Sequence, residues 1–145
     1  MSTAKINFKK SQFNQPWKEI GTYDVTIAEV NAGRRKNDAG ELVPLTDQSG
    51  NQIWFVNFNL KNHRGRAIQN SWSESDKTVM AFAIFTSRAL DACAIDWTEE
   101  ELSTDFKGLV DLWTSKGLVG KEVKIKVTNE LGTDQSKEFT KVEFL

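Results

Sequence analysis

The stretch NQIWFVNFNLKNHRGRAIQNSW, residues 51–72, decides how the rest of the chain is read. In its first half Trp54, Val56, Phe58 and Leu60 fall on one parity and Phe55, Asn57, Asn59 and Lys61 on the other. That period of two predicts a strand with one face in a core and one in water. Asn62-His63-Arg64-Gly65 then supplies turn chemistry, because Asn tolerates a left-handed backbone and Gly adopts one without steric penalty. Arg66 to Trp72 returns as the partner strand. The turn region carries Lys61, Arg64 and Arg66 beside His63, the only histidine, and no acid occurs from Lys61 through Ser73. Phe55 sits on the polar parity, where a large ring gains nothing from the core. It either packs under the N-terminal segment or in an interface, or serves as a platform on which bases stack.

Around this hairpin, 145 residues make one domain long enough to bury a substantial core. With 39% hydrophobic and 27% charged residues the composition is that of a globular protein. Cys93 is the only cysteine, which excludes an intramolecular disulfide and multi-cysteine zinc patterns and makes a reducing, cytoplasmic setting the expectation. Met1-Ser2-Thr3-Ala4-Lys5 opens without a hydrophobic run, so no secretory signal is expected, and no apolar stretch is long enough to span a bilayer. A net charge of −1 argues against a duplex-DNA binder held by overall positive charge. The distribution is uneven, however. Residues 1–18 carry Lys5, Lys9, Lys10 and Lys18 with no acid, and residues 91–105 carry six acids with no base.

Taken in order, residues 1–18 interleave Lys with Phe8, Phe13 and Trp17 and are expected to form an extended arm packed along the domain. Its aromatics either anchor it to the core or face a ligand. Residues 19–145 form the single domain. Ile20 to Val30 alternates as a first strand with Tyr23, Val25 and Ile27 inward. Asn31 to Gly50 reads as a long loop containing Arg34, Arg35 and Lys36. From Thr78, Phe82, Phe85, Ala89, Leu90, Cys93 and Trp97 recur at helical spacing, predicting an amphipathic helix with Cys93 as a small buried hydrophobe. Thr98-Glu99-Glu100-Glu101 has capping-box spacing and predicts a second helix start. Lys121 to Thr128 and Lys137 to Leu145 read as two further strands, the first presenting Lys124 and Lys126 on its polar parity.

Three strands, a helical insertion and two more strands give a mainly β fold with inserted helices. The expected architecture is a five-stranded Greek-key barrel of the OB type, with the helix between strands three and four. An arm of Lys and aromatics, the strand GTYDVTIAEV (21–30), the hairpin WFVNFNLKN (54–62), a central helix ending near LVGKEVKIKV (118–127) and a closing strand KEFTKVEFL (137–145) occur in that order. In this order they resemble the small single-stranded-DNA-binding proteins of bacteriophages. The resemblance implies an OB-fold unit that coats single strands in the host cytoplasm during phage DNA replication or recombination, with replication or recombination proteins and further copies of itself as partners. It departs from that pattern at residues 137–145, which are apolar-rich where many such proteins carry an acidic recruiting tail.

Enzyme chemistry finds little support. A Ser or Cys nucleophile needs a positioned base, and only His63, in a turn, is on offer. No P-loop, GxGxxG or calcium-loop spacing occurs, and no cofactor or metal is expected. Single-strand binding asks for less: positive charge along a groove and flat rings on which bases stack. Phe55 supplies a ring, while Arg34, Arg35, Lys36, Lys61, Arg64, Arg66, Lys124 and Lys126 supply charge; Trp72 shares the parity of Ile68 and belongs to the core. The competing expectation is a phage protein-interaction module or inhibitor that acts through its acidic helical side.

Overall fold

A computed structural model of the protein describes residues 20–62, 66–131 and 138–145. The expected arm at 1–18 and Arg64 with His63 and Gly65 lie outside the described residues; of the turn expected at 129–136, Asn129 to Leu131 instead continue a strand and the rest lies outside the described residues. In chain order the strands are β1 (Gly21–Ala32), β2 (Arg34–Lys36), β3 (Leu42–Pro44), β4 (Ile53–Leu60) and β5 (Ala67–Ser73). The helices α1 (Val79–Ala92), α2 (Glu99–Leu102) and α3 (Phe106–Ser115) follow, and then β6 (Glu122–Leu131) and β7 (Glu138–Phe144). The fold is mainly β. Five antiparallel strands form one sheet in the order β5-β4-β1-β6-β7, and β2 and β3 form a separate two-stranded hairpin.

The alternation in β4 does what a period of two requires: Val56, Phe58 and Leu60 are buried while Asn59 is exposed and Phe55 and Asn57 are half-buried. Val25 and Ile27 of β1, Ile68 of β5, and Val123, Ile125 and Val127 of β6 join them in the core. A register shift between Ile27 and Glu29 marks a bulge in β1. The extra residue resets the parity, so that Val30 comes to pair with Val56 while Glu29 and Asn31 stand beside Asn57 and Phe55 on the other face.

Helices cover the apolar face. Phe82 stacks on Phe106 at 4.6 Å, Trp72 meets Phe82 and Phe85 at 5.1 and 5.2 Å, and Phe144 reaches Phe85 at 5.0 Å. Among the described residues most aromatic side chains are in the core or packed against it. The buried Thr86 hydroxyl donates to the Phe82 carbonyl at 2.8 Å and accepts from the Trp113 indole at 3.0 Å, so neither buried polar group is left unmade. The capping box at Thr98 forms as its spacing predicts, with Glu101 N–H on the Thr98 hydroxyl and Thr98 N–H on the Glu101 carboxylate. The first helix ends earlier than its apolar pattern suggests. Ala94 takes a positive φ of 54°, and Trp97 lies beyond it with its indole donating to Asp91. Cys93 is half-buried, and burial pushes its thiol above the ordinary value while Lys121 draws it back.

Two expectations need correction. The expected barrel closure is not found, because β5 and β7 are the two edges of the sheet with no ladder between them. The link across is a side chain: Asn70, buried on β5, donates its amide to the Thr140 carbonyl of β7 at 3.1 Å and accepts from the Trp72 indole. The second correction concerns Asn31 to Gly50, expected as a loop: Asn31 and Ala32 end β1, and Arg34–Lys36 and Leu42–Pro44 pair as a separate two-stranded hairpin.

Candidate nucleic-acid interface

The face of the sheet turned away from the helices is lined by short polar side chains. On β4 it carries Phe55, Asn57 and Asn59, whose β1 partners are Asn31, Glu29 and Thr26 and whose β5 partners are Ser71, Gln69 and Ala67. The Asn57 amide donates to the Asn31 side-chain oxygen, fixing two amides beside the ring. Among the described residues Phe55 is the aromatic side chain of this face. Its position depends on Gly33, which is buried: a Cβ there would lie 2.8 Å from Phe55 Cε2 and 3.1 Å from Leu45 Cδ2. The ring therefore lies over bare backbone, where any other residue would push it away.

Past Gly33 the chain enters the β2–β3 finger, pairing Arg34 with Pro44, Arg35 with Val43 and Lys36 with Leu42. Two turns of one design shape it. Asn37 Oδ1 accepts from the backbones of Ala39 and Glu41, Asp47 Oδ1 accepts from those of Ser49 and Asn51, and Gly40 and Gly50 supply the left-handed residue at φ 78° and 83°. The hydrogen bond from the Asn51 backbone holds the Asp47 carboxyl below the ordinary carboxylate range against the opposing effect of burial. At the finger's base the Gln52 side-chain amide donates to the carbonyls of Gly33, Leu45 and Ile53, at 2.9, 3.0 and 2.8 Å.

The expected site residues fall into two groups. Arg34, Arg35 and Lys36 are exposed on the finger, in the three residues that follow Gly33, and among the described residues none is in an ion pair. Lys61, Lys124 and Lys126 lie toward the other end of the same face, six residues from Phe55 along β4 in the case of Lys61, or roughly 20 Å. These cations meet acids. Lys61 pairs with Glu122 at 2.9 Å, Lys124 stands opposite Asp24, and Lys126 stands opposite Glu143. Arg66 immediately precedes β5, on the parity of Ile68, and is half-buried. Arg64 lies outside the described residues. What the sequence reading missed is the setting of Phe55, namely Gly33, Leu45, Asn31 and the Gln52 clasp. The available signal was the repeated spacing of Asn37 to Gly40 and Asp47 to Gly50, which marks two turns and hence a hairpin.

Among the described residues no group of three or more His, Cys, Asp or Glu is placed to hold a metal ion, and no helix is long and apolar enough to cross a membrane. Compared with known proteins, the chain matches no family model and no curated sequence.

Proposed function

We propose that the polar face of the sheet, with the β2–β3 finger at one end, binds single-stranded DNA with little regard to base sequence, in phage DNA replication or recombination. In this reading the sheet, with β1 at its centre and its edges drawn together by Asn70, is an open barrel of the OB type whose apolar face the helices cover. The supporting observation is Phe55, a ring held on the solvent-facing side among amides and resting on Gly33, after which come the three exposed cations of the finger. A base stacks on the ring, neighbouring amides meet base edges or sugars, and Arg34, Arg35 and Lys36 take phosphates.

Phe55→Ala tests the reading. It is expected to lose about 1–3 kcal/mol of affinity for an unstructured oligonucleotide, while its melting midpoint falls much less than that of Phe58→Ala. The latter empties a fully buried site and costs about 3–5 kcal/mol of stability. Unaltered affinity in a folded Phe55→Ala protein would remove the stacking role.

A further inference from the structure

Helix α1 turns Phe82, Phe85, Thr86, Ala89 and Leu90 into the core and leaves its opposite side in water. That side runs Lys77, Met80, Ala81, Ile84, Ser87, Arg88 and Asp91, spaced three and four apart, so the residues form one continuous strip. Its centre is apolar. Met80 and Ile84 are 68% and 46% exposed, and exposed apolar side chains gathered on one helix face mark an interaction surface. Beside them a groove of about 570 Å³ opens toward α2, lined by Met80, Ala83, Ile84, Trp97 and Leu102, with exposed Glu99 at its edge. The two ends of the strip carry opposite charge. Lys77 stands just before the Thr78 cap and Asp91 lies in the last turn; among the described residues neither Lys77 nor Arg88 is in an ion pair. Asp91 Oδ1 accepts from the Trp97 indole at 2.8 Å, which fixes the carboxylate at its end of the strip.

We propose that this strip pairs with the same strip of a second copy of the chain, antiparallel and centred on Ile84. A two-fold axis at Ile84 sets each residue against the one that lies equally far beyond it. Ile84 then meets its own copy, Ala81 meets Ser87, Met80 lies along the aliphatic stem of Arg88, and Lys77 reaches Asp91. The small side chains of Ala81 and Ser87 let the two helix axes approach to about 8–10 Å. A parallel pairing would put Lys77 on Lys77, Arg88 on Arg88 and Asp91 on Asp91, each a repulsive contact. An antiparallel slip of one heptad would set Ile84 against Lys77 or against Asp91. Charge thus selects both the direction and the register of an apolar contact. The strip is about 21 Å long, a contact at the small end of protein interfaces, so the dimer forms at high concentration and dissociates on dilution. It lies on the helical side and does not depend on nucleic-acid binding by the polar face.

Sedimentation equilibrium of the full chain over a range of concentrations tests the contact and is expected to show monomer and dimer. Ile84→Lys sets two lysines on the axis, and Met80→Lys sets a lysine against Arg88; each should raise the dissociation constant at least about tenfold. Lys77→Glu should weaken the dimer, whereas Lys77→Arg should keep it. Circular dichroism checks that these variants, all at exposed positions, are folded. Direction is read by disulfide trapping in a Cys93→Ala background. There Ile84→Cys should join to itself, and an equimolar mixture of Met80→Cys and Arg88→Cys proteins should join position 80 to position 88 in preference to either like pair. A monomer at every concentration overturns the proposal and leaves the strip to a different protein. A dimer that both Ile84→Lys and Met80→Lys leave intact overturns it as well, as does preferential joining of like positions in the mixture.

Discussion

A methyl group on Gly33 would stand 2.8 Å from the Phe55 ring and 3.1 Å from the Ile53 carbonyl oxygen. The ring can swing away and the carbonyl cannot, since it also accepts from Gly33 N–H and from Gln52. Gly33→Ala is therefore expected to displace Phe55 and strain the finger's base together, lowering both the melting midpoint and oligonucleotide affinity. A variant with both values unchanged would show that the ring does not depend on bare backbone. Asp47 offers a second single-side-chain prediction. A carboxylate whose folded pKa is depressed adds stability above its unfolded value and loses that stability as pH falls through the folded value. The finger's base should accordingly loosen in acid, below the ordinary carboxylate range, with the Asp47 carboxyl titrating lower than a free aspartate by NMR. In Asp47→Asn the side-chain oxygen can still close the turn, and this part of the acid dependence should vanish.

The β2–β3 finger carries three exposed cations in the residues after Gly33, on which the ring rests, while those of β6 face acids across the strands. Arg34→Glu with Arg35→Glu should weaken oligonucleotide binding markedly, and Lys124→Glu with Lys126→Glu should weaken it less. The reverse order, measured by anisotropy of a labelled oligonucleotide, would move the contact to the β6 end. How legible these parts were follows from the range of the forces that make them. The strands β1, β4 and β6 could be read from alternation, and α2 from its capping box, because each is dictated by neighbours a few residues apart. The finger escaped because Arg34-Arg35-Lys36 and Leu42-Val43-Pro44 show no alternation; turn hydrogen bonds and the Gln52 amide hold it instead. The bulge that re-phases β1 left only a faint trace, the three-residue step from Ile27 to Val30. The division of the cations was out of reach, because the opposition of Lys124 to Asp24 depends on register between strands distant in sequence. Of the site, the face that carries Phe55 was legible and its support was not.

With a net charge of −1, the molecule has no general attraction for a polyanion, and any binding must come from the distribution of charge between its two sides. The helical side places acids around an apolar groove, whereas the sheet side carries exposed cations of the finger, an aromatic ring and a row of amides. Contact with a single strand should therefore involve few phosphates. If Arg34, Arg35 and Lys36 each meet one, log affinity should fall with log salt with a slope of about −2, much shallower than for a protein that wraps its strand in positive charge. Duplex DNA, whose bases are stacked inward, offers Phe55 nothing to stack on. The decisive measurement is one anisotropy titration series: the full chain against a labelled, unstructured oligonucleotide and against a duplex of the same length, at low salt and at several higher concentrations. Saturable binding to the single strand, weak binding to the duplex and a shallow salt slope are the predicted result; no binding to the single strand at low salt, or equal affinity for the duplex, would contradict it.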